Sequence, residues 1–248
     1  MEAKNLTRRF GGLVAVDAVS LALHVGELHA VIGPNGAGKS TLTNLLSGEL
    51  RPSAGTITLH GTSVAGWPPW RFARAGVGRS FQRTNVLRDM TVLENVRLAA
   101  QARLTPASHL LHPTTTERPP LEAAEAALHR VALLQARRRT AGTLSHGQLR
   151  QLEIAMALAA NPTVLLLDEP LAGMGAEESD RLAALLRELA RDYAVLLIEH
   201  DMDVVFAVAD RLTVMVDGKV LEQGPPAQIK SSPAVRDAYL GHETEGHA

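Results

Sequence analysis

The most informative segment of the chain reads Gly33-Pro34-Asn35-Gly36-Ala37-Gly38-Lys39-Ser40-Thr41. It matches the pattern G-x-x-x-x-G-K-[ST], and it lies between a short apolar run, Leu28–Ile32, and a segment with helical spacing, Ser40–Leu46. Glycines allow consecutive backbone N–H groups to converge on an anion, and the start of a helix adds a favourable dipole. The segment therefore predicts a strand, a phosphate-binding loop and a helix. An ordinary strand–turn–helix connection is the alternative, but the four fixed positions match by chance in only about one chain per hundred of this length.

Two side chains at the end of this loop predict how a nucleoside triphosphate is held. Lys39 is expected to neutralise charge on the β- and γ-phosphates, and Ser40 is expected to bind Mg²⁺ through its hydroxyl. The other positions from Gly33 to Thr41 are expected to line the same cofactor site.

A pair of carboxylates follows another apolar run. Val164–Leu167 has the pattern of a buried strand and leads directly into Asp168 and Glu169. At the carboxyl end of a strand in an open α/β sheet, side chains face the ligand crevice. Asp168 is suited to hold Mg²⁺, and Glu169 is suited to orient and deprotonate an attacking water. A solvated strand end would explain the pair equally well on its own, but the phosphate-binding loop favours the catalytic interpretation.

The order of apolar patterns predicts one α/β core with an insertion. The first sixty residues read mostly as strands and turns, including Leu21–Val25 and Thr56–Leu59. Strand and helix patterns alternate near the C-terminus, which implies parallel strands with crossover helices; they are Val164–Leu167, Asp180–Arg191, Ala194–Ile198 and Met202–Ala209. In between, helical patterns begin at Val92 and cover Leu121–Arg139 and Gln148–Ala160, and the proline-rich stretch Thr105–Pro120 is expected to be a loose surface excursion. We therefore expect a single domain, residues 1–248, with a helical lobe inserted at about residues 86–155.

Composition narrows the functional classes. The chain has 248 residues, a formal net charge of -1 and no cysteine. The balanced charge argues against a nucleic-acid partner, and the lack of cysteine excludes disulfides and thiolate chemistry. The N-terminus lacks the layout of a secretory signal, and no apolar run approaches the roughly 20 residues that span a bilayer. Any association with a membrane is therefore expected to pass through a partner.

The segment Leu144-Ser145-His146-Gly147-Gln148 points to one family. It resembles the LSGGQ-type signature of the ABC-transporter ATPases, and it precedes the acidic strand, as it does in that family. Ser145 and Gln148 also have the spacing of a helix capping box. The resemblance implies that Ser145, Gly147 and Gln148 contact a nucleotide held by another subunit.

Further landmarks of that family follow in order along nearly the whole chain. Phe10 matches the aromatic residue that stacks on adenine, Gln82 matches the glutamine that joins the core to the helical lobe, and His200 matches the histidine near the γ-phosphate. The resemblance implies a P-loop NTPase (RecA-like) core with an N-terminal antiparallel β-subdomain and an inserted helical subdomain. It also implies ATP and Mg²⁺ as cofactors, with Gln82, beside Ser40 and Asp168, at the metal. Glu169, His200, Gln82 and Lys39 are the implied catalytic residues.

Several stretches are similar to one branch, the ATPase subunits of importers of branched-chain amino acids and of the related urea and amide importers; they are Phe10–Val16, Arg79–Gln82, Met90–Val96, Ile198–Met202 and Ala238–Gly241. This resemblance implies permease subunits, a second ATPase subunit of the same or a homologous kind, an indirectly acting solute-binding protein, and a position at the cytoplasmic face of the membrane. The alternatives are the ATPase of a lipopolysaccharide-type exporter, a nucleotide-regulated module of repair or translation, and a catalytically silent regulatory subunit. Three positions depart from the family pattern: Met156 in place of the common Arg, Gly175 in place of Asp or Asn, and His146 in place of Gly or Tyr.

Overall fold

The computed structural model describes residues 1–80, 85–104 and 118–243. Within these ranges the elements, in chain order, are β1 (Glu2–Phe10), β2 (Leu13–Ala22), β3 (Leu28–Ile32), α1 (Lys39–Leu46), β4 (Ala54–Leu59), β5 (Thr62–Ser63), α2 (Pro69–Arg74), β6 (Val77–Arg79), α3 (Val92–Leu104), α4 (Arg118–Arg130), α5 (His146–Ala159), β7 (Val164–Asp168), α6 (Ala176–Ala190), β8 (Ala194–Ile198), α7 (Met202–Val208), β9 (Arg211–Val216), β10 (Lys219–Gly224), α8 (Pro226–Ser231) and α9 (Pro233–Glu243).

A six-stranded sheet carries the centre of the fold. Its strand order is β10-β9-β3-β8-β7-β6, and all neighbouring pairs are parallel except β10 with β9. Strands β3, β7 and β8 are buried along their whole length. Continuous apolar runs form such strands because a parallel sheet is covered on both faces. The predicted parallel strands and crossover helices are therefore confirmed.

The parallel arrangement brings three loops to one edge. Because β8 lies between β3 and β7, the carboxyl ends of all three strands meet there. The glycine-rich loop follows β3, the acidic pair ends β7, and Glu199 and His200 follow β8. The topology alone thus assembles residues that are distant in sequence.

A second, four-stranded antiparallel sheet has the order β2-β1-β4-β5. It accounts for the strand-rich character of the first sixty residues, although β2 ends at Ala22 and not at the predicted Val25. The strands β9 and β10 and the helices α8 and α9 were not predicted.

Helices α3, α4 and α5 share one apolar cluster with β3, β7 and β8. The predicted helix Leu121–Arg139 is wrong at both ends, because α4 begins at Arg118 and stops at Arg130. Ala132 has a left-handed backbone with φ 58°, which ends the helix, and a 3₁₀ turn follows at Leu134–Ala136. Helix α6 also starts earlier than predicted, at Ala176. Most of the predicted proline-rich excursion, residues 105–117, lies outside the described residues.

None of the helices in the described ranges is both long enough and apolar enough to cross a membrane. The helical lobe at about residues 86–155 stays a prediction.

Candidate nucleotide site

The loop between β3 and α1 is shaped by its glycines. Gly38, just before α1, has φ 99°, and a Cβ there would overlap the backbone carbonyl oxygen of Ala15. A Cβ on Gly33 would likewise overlap the carbonyl oxygen of Met215. Gly36, at φ 82°, has open space where a Cβ would lie. The loop is thus pressed against β2 and β9 on one side, while its tip is left open for a ligand.

Lys39 is poised over this loop. Its side chain is only 8% exposed, and Nζ donates hydrogen bonds to the carbonyl oxygens of Gly33 (2.6 Å) and Pro34 (2.9 Å). Burial lowers the pKa of Lys39, and the nearby Glu169 and Asp168 act in the opposite direction. An ammonium group held by two neutral carbonyls can turn to a phosphate at little cost, because the anion is a better partner. Ser40 is exposed beside it.

Asp168 ends β7 as a buried carboxylate with one unsatisfied oxygen. Its backbone N–H donates to Ser80 Oγ (3.3 Å), and Oδ2 lies 3.9 Å from Arg79 Nη2. Oδ1 is buried and has no hydrogen-bond partner among the described residues. Burial raises the pKa of Asp168, although Arg79 works against this shift. A buried oxygen of this kind calls for a partner, and together with the Ser40 hydroxyl it fits the hard oxygen ligands that Mg²⁺ prefers.

Glu169 follows with a strained backbone. Its φ is 47°, a left-handed value that residues other than glycine rarely adopt, and its N–H donates to the Ile198 carbonyl oxygen (2.9 Å). Such strain is often retained at functional sites. The bend turns the chain out of β7 and leaves the carboxylate close enough to Lys39 to affect that residue's pKa.

The loop that follows β8 begins with Glu199 and His200. The carboxylate of Glu199 is buried, and the sequence analysis assigned it no role. Glu199 accepts hydrogen bonds from the backbone N–H groups of Leu171 (3.0 Å) and His200 (3.2 Å), and its Oε2 lies 3.7 Å from His200 Nδ1. Burial raises the pKa of Glu199. The imidazole of His200 is 63% exposed. Glu199 therefore links the end of β8 to the loop after the acidic pair; its place directly after a buried strand was the available signal.

Phe10 and Ser145, which are also predicted site residues, lie on other elements. Phe10 is the last residue of β1, where it pairs with Leu13 of β2; it is 42% exposed, and the Arg8 guanidinium carbon lies 4.5 Å from its ring centre. Gln82 lies outside the described residues. Ser145 begins α5, and the predicted capping box is confirmed, since Ser145 Oγ accepts from Gln148 N (3.3 Å) and Gln148 Oε1 accepts from Ser145 N (3.2 Å).

The start of α5 faces a cavity of its own. This cavity, of about 320 Å³, is lined by Ser145, Gly147 and Gln148 together with residues of α6, and no residue of the phosphate-binding loop borders it. The start of α5 is thus separate from the phosphate-binding loop in the described part of the chain.

Comparison with known proteins assigns the arrangement. The family model described as ABC transporter matches residues 16–172. This chain belongs to the ABC transporter family. A second model, described as branched-chain amino acid ATP-binding cassette transporter, matches residues 219–245 at the C-terminus of this ABC protein.

Individual relatives of this ABC protein are similar over almost the whole chain. The high-affinity branched-chain amino acid transport ATP-binding protein BraF of Pseudomonas aeruginosa is 41% identical, and the match covers 97% of each protein. The crystal structure of the ADP conformation of an ATP-binding cassette of an ABC transporter superposes with a TM-score of 0.86 at 31% identity, covering 97% of this chain and 98% of that one. A dimeric cassette in a post-hydrolysis state, bound to ADP and Pi, gives a TM-score of 0.76 at 25% identity, covering 91% and 98%. The predicted family and fold class are therefore confirmed.

None of the three departures from the ABC pattern lies within the phosphate-binding loop. Gly175 precedes α6 without a side-chain cap. His146 begins α5, and its Cε1 would lie 3.6 Å from a Cβ on Gly173. Met156 lines a mostly apolar groove with Ala99 and Ala157. None of them replaces a predicted catalytic group.

Proposed function

We propose that this chain hydrolyses ATP as the nucleotide-binding subunit of a transporter that imports branched-chain or related hydrophobic amino acids through a separate permease. The observation that carries the proposal is the convergence of three strand ends, which brings Lys39, Asp168, Glu169 and His200 to one edge of the sheet. The identity of 41% to a branched-chain amino acid transport ATP-binding protein, and the C-terminal match to that branch, support the cargo class.

Each side chain has a role that its position suits. Lys39 and the backbone N–H groups from Gly33 to Thr41 hold the phosphates, and Phe10 stacks on the adenine. Glu169 orients the attacking water and accepts its proton, while His200 contacts the γ-phosphate. Ser40, Asp168 and Gln82 would hold Mg²⁺, which neutralises phosphate charge when it is bound.

Two subunits complete the site. The phosphate-binding loop of one copy and Ser145, Gly147 and Gln148 of another enclose each ATP, so that ATP closes the pair and hydrolysis releases it. The dimeric relative with ADP and Pi supports this arrangement. Only a ligand with different affinities for the open and closed states can drive such a motion, and the γ-phosphate supplies the difference.

The permease is proposed to contact the mostly apolar groove that Met156 lines. This groove is bordered by Arg79, Asn85 and Glu153 as well as by Met156 and Ala157. Through the permease, the subunit would sit at the cytoplasmic face of the membrane, with the solute-binding protein acting on the far side.

A Glu169→Gln variant tests the proposal. It should bind ATP within about threefold of the parent and form an ATP-dependent dimer, while its turnover falls by about 10²–10⁴, the usual contribution of a general base. Glu177→Gln, an exposed change of the same kind on α6, should leave turnover unchanged, and Lys39→Ala should lose ATP binding.

Normal turnover in Glu169→Gln would remove that residue from the mechanism, and hydrolysis by Lys39→Ala would remove the whole site. The cargo is tested separately, by uptake of labelled leucine, isoleucine or valine against urea in vesicles that contain the native permease.

A further inference from the structure

A carboxylate from α6 lies across the start of α5. Glu178 Oε1 is 3.5 Å from Ser145 Oγ, which donates a hydrogen bond to it. A Cβ built on Gly147 would lie 3.0 Å from Glu178 Cδ, 3.1 Å from Oε1 and 3.2 Å from Oε2. The carboxylate therefore packs directly against the Cα of Gly147, an approach that the absent side chain permits.

The position of this carboxylate is electrostatically favourable. The first turn of α5 carries partial positive charge, and the Ser145 hydroxyl adds a donor. Ser145, Gly147 and Glu178 all line the same cavity. An anionic group of the chain's own thus occupies the place where, under the proposed function, the partner's nucleotide would present its γ-phosphate.

We propose that Glu178 is a specificity-determining residue of the two-subunit site: its carboxylate occupies the start of α5 until the γ-phosphate of ATP on the partner subunit displaces it. This inference rests on the proposed function, because it requires that two copies enclose the nucleotide. Two anions cannot share one set of donors without strong repulsion, so the pair closes only when the incoming phosphate outcompetes the carboxylate.

Glu178 consequently sharpens the distinction between ATP and ADP. ADP has no γ-phosphate to displace the carboxylate, so the ADP-bound pair keeps both the repulsion and the occupied site.

The test compares dimer dissociation constants in a hydrolysis-deficient Glu169→Gln background, measured by sedimentation velocity with saturating ATP and with saturating ADP. Adding Glu178→Gln keeps the shape of the side chain and removes its charge. The ATP dimer should tighten about tenfold, equivalent to about 1.4 kcal/mol, and dimers should become detectable with ADP.

Glu177→Gln is the matched control, because it also removes one negative charge from the same turn of α6. The carboxylate of Glu177 forms an ion pair with Arg181, with Oε1 3.6 Å from Nη1. It should leave both dissociation constants within about twofold. Glu178→Asp keeps the charge on a shorter stem and should fall between the parent and Glu178→Gln.

An unchanged or weaker ATP dimer in Glu178→Gln overturns the inference and leaves the proposed function intact. An equal gain in Glu177→Gln also overturns it, because the effect would then be one of general charge. If the Glu169→Gln parent binds ATP and stays monomeric, the enclosed-nucleotide arrangement fails, and the inference fails with it.

Discussion

The starts of α1 and α5 are built in opposite ways, although both suit an anion. Helix α1 begins after Gly38, whose left-handed backbone offers no side-chain cap. Helix α5 begins with a complete capping box formed by Ser145 and Gln148. The start of α1 is wedged against β2 and β9, with Lys39 buried, whereas Ser145 and His146 are exposed.

This contrast supports different roles for the two sites under the proposed function. The first N–H groups of an α-helix lack an acceptor within the helix, and α1 has no side-chain cap, so a phosphate would satisfy them. In α5 one of these donors is already satisfied by Ser145 Oγ, which in turn donates to Glu178 Oε1. Under the proposed function, the first site binds the phosphates of its own subunit's ATP and the second completes the site of another subunit.

The glycines of the first site allow its rigidity to be tested. Gly38→Ala adds a methyl group that overlaps the Ala15 carbonyl oxygen and also strains a left-handed backbone, so the free energy of unfolding should fall by about 3 kcal/mol. Gly36→Ala carries only the backbone strain, because nothing lies near its Cβ, and should lose about 1 kcal/mol. Urea unfolding measures both values. Equal losses would show that the loop is free to move away from β2.

The free energy of unfolding should also depend on pH, because a histidine is buried on the strand that leads into the first site. His29, on the strand that leads into the first site, is fully buried, and its Nε2 lies 2.7 Å from Thr213 Oγ1. Burial lowers the pKa of His29 to about 4. As pH falls below about 6.5 the unfolded chain takes up a proton that the folded chain excludes, so stability declines, by about 2 kcal/mol at pH 5.

His29→Gln removes this contribution, so the difference in unfolding free energy between pH 7.5 and pH 5 should shrink by that amount. His146→Gln, at the exposed start of α5, is the matched control and should keep the parent's difference. If His29→Gln also keeps it, another group carries the pH dependence.

Local patterns were sufficient where structure depends on neighbours in sequence. The apolar runs of β3, β7 and β8, and the spacing of Ser145 and Gln148, each predict an element that the structure contains. The end of α4 could not be predicted in this way. Helices usually end at a left-handed glycine or asparagine, but here the left-handed residue, with φ 58°, is Ala132.

Contacts between distant segments were also beyond the sequence. The close approach of Gly38 to Ala15, and of Glu178 to Gly147, depends on how sheets and helices pack. Glu199 likewise accepts a hydrogen bond from the backbone N–H of Leu171, which lies 28 positions away in sequence. A single sequence contains both residues of such a pair, but it does not show that they are in contact.

Removing the capping box of α5 distinguishes an effect on the stability of the fold from an effect on dimer assembly. Ser145→Ala removes the cap of α5 and should lower the free energy of unfolding by about 1 kcal/mol. Thr91→Ala removes a similar box, in which Thr91 Oγ1 accepts from Glu94 N (3.2 Å) and Glu94 Oε2 accepts from Thr91 N (2.8 Å), and should cost about the same. In a Glu169→Gln background only Ser145→Ala should also weaken the ATP dimer, because under the proposed function only its hydroxyl contacts the partner's γ-phosphate. Equal dimer dissociation constants for the two variants would show that Ser145 acts only as a helix cap. The contrast between the two helix starts would then concern stability alone.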